Sequence, residues 1–170
     1  MEKTEQKRDN LEPVVSHPSG VVLPVLRFNT PIETAQFIAR RIAEVIRHCN
    51  DEGRNAVIGL AGGSTMVGVY RELIELHNHD DLDFSKCVIF GLTEYSGIEL
   101  SQDQSMTSRM AAQLFDHINL PTSQSFVPNT TGDLTQQQQE CERIEEEIES
   151  AGGLDLVVLG VGSNGHIGFN

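Results

Sequence analysis

Three short apolar runs, Ala56 to Leu60, Cys87 to Leu92 and Leu154 to Val161, each pass at once into a polar, glycine-containing loop. Each run is rich in Val, Ile and Leu and too short for a free-standing helix, so it reads as a buried strand. Helical patterns lie between them. One passes through Val67, Tyr70, Leu73 and Ile74, one runs from about Ser105 through Met110 and Leu114, and one from Thr135 through Ile144 and Ile148. The last is expected to open on a capping box of Thr135 and Gln138 and to stop at Gly152 and Gly153. Strands alternating with helices predict an α/β fold: a mostly parallel sheet with helices on both faces, in three layers. In a parallel sheet all the strand-to-helix loops emerge at the carboxyl edge, which makes that edge the natural place for a binding site.

Upstream, Thr30, Pro31 and Glu33 supply an N-cap, a first-turn proline and a capping-box carboxylate in order. Ile32, Ala35, Ile38, Ala39, Ile42, Val45 and Ile46 then recur at helical spacing, which predicts an amphipathic helix to about Cys49. Val21 to Leu26 is apolar and β-branched but contains Pro24, which cannot donate to a ladder and indicates an edge strand or a strand end. Residues 1–20 are polar, carry Pro13 and Pro18 and show no apolar period, so they read as a flexible lead-in with no assigned structure. That leaves 21–170 as one α/β domain, a size suited to a single core.

Composition narrows the partners. No run approaches the ~18 to 20 apolar residues of a membrane span, and the polar start lacks the apolar stretch of a secretory signal, so a soluble, cytoplasmic protein is expected. Cys49, Cys87 and Cys141 are odd in number, widely spaced and without a C-x-x-C pair, which speaks against a disulfide framework and against a metal site. His77 and His79, two apart near a helix end, face different directions and make no metal pair. The formal net charge of -13 would repel nucleic acid and anionic membrane. It would also repel a phosphorylated metabolite at long range, so a phosphate site here must rely on local donors such as backbone N–H groups. The glutamines 136–139 and glutamates 145–147 read as a solvated helix face. A homo-oligomer is compatible with all of this, and the sequence does not decide it.

The first loop, Ala61-Gly62-Gly63-Ser64-Thr65, runs from a strand directly into a helix. Glycines admit a ligand close to the backbone, and Ser64, Thr65 and the free helix N–H groups are donors suited to phosphate. It lacks the lysine of a Walker A loop and the spacing of a dinucleotide fingerprint. A tight turn with a Ser/Thr cap explains the same residues as well. The second loop, Thr93 to Gly97, offers Glu94 as a carboxylate for acid–base work, with a surface glutamate beside a packed tyrosine as the plain alternative. The third, Gly160 to Asn170, holds His166 in a glycine-rich turn, where an imidazole as a residue type is suited to moving protons.

At these loops the sequence resembles the glucosamine-6-phosphate deaminase family, within a larger group that also holds 6-phosphogluconolactonases. The likeness rests on GLAGGSTMVGVY (Gly59 to Tyr70), TEYSG (Thr93 to Gly97) with DQS (Asp103 to Ser105), and LDLVVLGVGSNGHIGFN (Leu154 to Asn170), in that order and separation, and covers roughly residues 25–170. The ending GHIGFN and the tyrosine of TEYSG are similar to the deaminase branch. The resemblance implies isomerising deamination of glucosamine 6-phosphate to fructose 6-phosphate and ammonia, without a redox cofactor. It implies that Gly62, Gly63, Ser64 and Thr65 bind the phosphate, with Gly162 and Gly165 shaping the third loop against the substrate. It also implies that His166 beside Asn164 helps to open the sugar ring, and that a residue at the start of the second loop moves a proton between sugar carbons.

Three departures stand out. The family pattern has Asp where this chain has Thr93, whose hydroxyl cannot serve as a carboxylate-like base near neutral pH; Glu94 is adjacent as a substitute, but neighbouring residues at a strand end tend to point to opposite sides, so the substitution is not free. Gly62 and Met66 stand where family members commonly carry Thr and Pro. No Lys or Arg follows Arg143, and the family continues past the position of Asn170 with a glutamate and further strands and helices that bring cationic ligands, so the sheet is expected to be incomplete at its C-terminal end. Three readings follow: an active deaminase, a non-catalytic sugar-phosphate binder or regulator, and a 6-phosphogluconolactonase-like hydrolase.

Overall fold

A computed structural model describes residues 12–16 and 22–168. Of the lead-in expected over 1–20, residues 1–11 and 17–20 lie outside the described residues, as do Phe169 and Asn170. The chain divides into two compact units, 1–34 and 35–170. In the first, β1 (Glu12–Ser16) pairs antiparallel with β2 (Val22–Val25). Strand β1 departs from the expectation of an unstructured lead-in, because the ribbon draws on backbone pairing rather than on an apolar period. Pro24 stands opposite Pro13, and the register shifts between Pro13 and Ser16.

Helix α1 (Pro31–Asp51) begins as the sequence predicts. The Glu33 N–H donates to Thr30 Oγ1 at 3.2 Å, and Glu33 Oε2 accepts from the Thr30 and Asn29 N–H groups at 3.3 and 2.9 Å. Ala35, Ala39, Ile42, Ala43, Ile46 and Cys49 form its buried stripe. Ile32, expected on that stripe, is exposed, since the helix does not yet face the core in its first turn.

In the second unit, β3 (Ala56–Leu60), β4 (Cys87–Gly91), β5 (Ser125–Phe126) and β6 (Leu156–Val158) form a sheet in the order β5-β4-β3-β6, with every pairing parallel. Alternate side chains point to opposite faces of a strand. Ile58, Leu60, Cys87 and Ile89 join α1 and α2 (Met66–His79) in the larger core, while Val57, Val88 and Phe90 pack on Ile144 and Ile148 of α4 (Leu134–Ser150). The helices therefore cover both faces, giving three layers. Helix α3 (Met106–Gln113) adds Met110 to the larger core, and α1 approaches α2 closely where Ala35 meets Gly68. Among the described residues no helix is long and apolar enough to cross a membrane.

Three details differ from the sequence reading. The capping box of α4 is Asp133 and Gln136 rather than Thr135 and Gln138. Gly132, at a φ of 98°, turns the chain into the helix two residues earlier and leaves room for the Gln136 amide. Strand β5 has only two residues, too few to show a period; Phe126 holds it by stacking on Phe90 at 5.0 Å between centroids. Strand β6 is shorter than Leu154 to Val161 because the chain leaves the ladder after Val158, and Val157, Leu159 and Val161 are exposed along it.

One carboxylate fastens β6 to β3. The Val57 N–H donates to Asp155 Oδ2 at 2.9 Å, the Asp155 N–H returns a bond to the Val57 carbonyl at 2.8 Å, and Arg54 Nη1 donates to both carboxylate oxygens at 2.8 and 2.9 Å. Removing one member of such a set leaves the others unsatisfied. Asp155→Ala is expected to lower the unfolding free energy by about 2 to 3 kcal/mol, measured as a lower urea midpoint with an unchanged slope.

Candidate active site

The parallel register delivers all three loops to one rim. Ala56 to Leu60 stand beside Cys87 to Gly91, and Leu60 stands beside Val158, so the three strands end level with one another. The bonds continue past them: the Leu92 N–H donates to the Leu60 carbonyl at 3.1 Å and the Ala61 N–H to the Val158 carbonyl at 3.2 Å.

The first loop is held from below by Tyr70, whose buried hydroxyl donates to the Ala61 carbonyl at 2.6 Å. Burial pushes that phenol well above its ordinary pKa, so it stays a donor. Gly63 turns at a φ of 109° with open space where a Cβ would stand. Thr65 occupies the cap position of α2 in a right-handed helical conformation, and its side chain makes no cap bond. The reading of this loop as an ordinary Ser/Thr cap therefore fails. Among the described residues, the exposed Ser64 and Thr65 hydroxyls have no hydrogen-bond partner in the protein. Gly62 has a separate constraint: a Cβ there would lie 2.7 Å from Met106 Sδ.

The second loop separates its two candidates. Thr93 is half-buried, with Cγ2 3.9 Å from where a Cβ on Gly168 would stand, so it faces the third loop. Glu94, 6% exposed, turns the other way, into the start of α3. Its Oε2 accepts from Ser105 Oγ at 2.7 Å and from the Thr107 hydroxyl and N–H at 2.9 and 3.0 Å; its Oε1 accepts from the Met106 and Tyr95 N–H groups, both at 2.9 Å. Burial alone would raise its pKa, but the donors from Ser105, Thr107, Met106 and Tyr95 outweigh it and hold the carboxyl at about 2. As the strand-end alternation implies, Glu94 and Thr93 point to opposite sides, and the Glu94 carboxylate, with five donors, is aimed at the start of α3.

The third loop folds into a small hairpin. Val161 bridges Ile167, the Gly162 N–H donates to the His166 carbonyl at 2.8 Å, and Gly165 turns at a φ of 87°. The His166 ring lies where a Cβ on Gly162 would be, so a larger residue there would displace the ring from this position. Asn164 Oδ1 accepts from the His166 N–H at 3.3 Å and lies against Nδ1. The Asn164 amide thereby orients the imidazole within the turn. Thr65 Oγ1 lies 3.4 Å from where a Cβ on Gly160 would stand, so the third loop meets the first as well as the second.

Sequence reasoning missed a cleft of about 230 Å³ beside the first loop, between Gly62, Gly63 and Ser64 on one side and Met106, Arg109, Met110 and Gln113 on the other. Their spacing of three and four along α3 could have flagged a shared face, but nothing in the sequence says what that face looks onto.

Known proteins resemble this chain in sequence and in fold. The sequence profile of the glucosamine-6-phosphate isomerases/6-phosphogluconolactonases matches residues 29–168. The chain belongs to that family. Glucosamine-6-phosphate deaminase of Thermoanaerobacter pseudethanolicus is 42% identical over 133 residues, 78% of this chain and 52% of that protein. Its counterpart in Clostridium perfringens is 44% identical over 138 residues, 81% of this chain and 54% of that protein. The chain thus spans about half the length of the curated family members it matches. Among solved structures, a monomeric glucosamine-6-phosphate deaminase superposes with a TM-score of 0.79 at 37% identity, covering 86% of this chain and 58% of that one. A 6-phosphogluconolactonase from Thermotoga maritima superposes at 0.65 and 26%, over 79% of this chain and 58% of that one.

The Glu94 cap has a pH signature. A carboxyl held at about 2 in the fold, against an ordinary 4.5, contributes ~3 kcal/mol that is present above pH ~4.5 and lost as pH falls toward 2. Urea unfolding of Glu94→Gln is expected to show a deficit of that order at pH 7, and the gap to the unaltered chain should close as pH drops below 4.5.

Proposed function

We propose that this chain carries the sugar-phosphate rim of an isomerising deaminase that converts glucosamine 6-phosphate to fructose 6-phosphate and ammonia, with turnover limited at the position of Thr93. The observation that carries this reading is the meeting of three loops: Gly160 against Thr65 and Gly168 against Thr93. The deaminases noted above, 42 and 44% identical, favour this chemistry over lactone hydrolysis. Ser64, Thr65 and the glycine backbone take the phosphate. His166, oriented by Asn164, takes the proton of the anomeric hydroxyl and returns it to the ring oxygen as the ring C–O bond breaks. Gly162 and Gly165 shape the turn that holds that imidazole. The reaction requires no redox cofactor, and the enzyme acts in the cytoplasm on a small phosphosugar.

The following step moves a proton from C2 to C1 and needs a base. Thr93 stands where the family carries a carboxylate, and loss of a positioned base costs ~10²- to 10⁴-fold in rate. Thr93→Asp is expected to raise ammonia release from glucosamine 6-phosphate by ~10²-fold or more, measured on the purified chain. The commitment of Glu94 to α3 favours a second reading, a phosphosugar binder without turnover. Ligand-dependent thermal stabilisation with no ammonia from either variant would establish that reading instead.

A further inference from the structure

Helix α3 presents Met106, Arg109, Met110 and Gln113 at i, i+3, i+4 and i+7, a single face that looks onto Gly62, Gly63 and Ser64 across the cleft. Arg109 is the one cationic residue lining that cleft. Its Nε donates to the Asp103 carbonyl at 3.3 Å, which fixes the side chain by its inner nitrogen and leaves the outer N–H groups of the fork for another acceptor. Arg41, Arg47, Arg54 and Arg143 each pair with a carboxylate, whereas Arg27, Arg40, Arg71 and Arg109 form no ion pair among the described residues; of these four, Arg109 lines the cleft. An arginine without a carboxylate partner, in a chain of net charge -13, stands opposite a glycine turn with an unspent serine hydroxyl.

From this arrangement we infer that the cleft is a phosphate-monoester subsite in which Arg109 supplies the positive charge and Gly63, Ser64 and Gln113 supply hydrogen bonds. The inference rests on the function proposed above and adds to it the source of the countercharge. A planar fork suits phosphate oxygens, and Val67, Met106 and Met110 form the apolar part of the cleft wall. The volume of about 230 Å³ is below that of a site enclosing a drug-sized ligand and suits a phosphate with its adjoining carbon.

Calorimetric titration with inorganic phosphate, glucosamine 6-phosphate and unphosphorylated glucosamine tests this on the full chain, its Arg109→Gln variant and its Arg109→Lys variant. The expected result is binding of both phosphate-bearing probes by the unaltered chain and not of glucosamine, with affinity falling as salt rises. Arg109→Gln should weaken that binding ~10- to 100-fold, and Arg109→Lys should retain an intermediate affinity. Thermal melts of both variants should match the unaltered chain, since Arg109 is exposed. Equal affinity for glucosamine 6-phosphate before and after Arg109→Gln would overturn the subsite while leaving the deaminase reading intact. Arg109-dependent phosphate binding without ammonia release from the unaltered chain or from Thr93→Asp would leave the subsite standing and remove that reading. No phosphate binding by the unaltered chain would also overturn the subsite.

Discussion

Strand β3 is paired on both sides by strands running its own way, and the site depends on that arrangement. Parallel neighbours must send their connections over the faces of the sheet, which is why α1, α2 and α4 lie where they do and why the turns after β3, β4 and β6 open in the same direction. The ladder between β3 and β6 is only three residues long, little to hold an edge strand. Asp155 compensates by taking the Val57 N–H and the Arg54 guanidinium at the amino end of the pair. The geometry of the third loop at the opposite end of β6 is therefore set partly by a carboxylate far from it.

The two residues that begin the second loop divide its duties. Glu94 is as deeply committed as a carboxylate can be, with both oxygens saturated and its charge placed at the positive end of α3. Thr93, one residue away, faces the third loop with a group that neither ionises nor accepts a proton at neutral pH. Stability and chemistry are thus served by adjacent side chains pointing opposite ways, and the first cannot be redirected to the second without unfastening a helix.

Much of the fold was legible because β3, β4 and α1 obey local rules strongly. Five-residue apolar runs bounded by glycine and a helix with cap, proline and stripe in order leave few alternatives. The start of α4 was misplaced by two residues because Thr135 and Asp133 both make plausible caps, and only the turn at Gly132 decides between them. Strands β1 and β5 carried no readable signal, since short pairings depend on what lies alongside. At the site, the loops and the orientation of His166 toward Asn164 follow from sequence neighbours. The partners of Glu94 lie 11 to 13 residues on, and Arg109 acquires its meaning only when α3 is folded against the first loop. Such relations are tertiary, and no local pattern encodes them.

The contact between Gly62 and Met106 bears on how this chain could have diverged. A Cβ at Gly62 would lie 2.7 Å from the Met106 sulfur, so a larger residue there requires the thioether to swing aside or a shorter residue to replace it. The two positions, on different elements of the fold, therefore do not change independently.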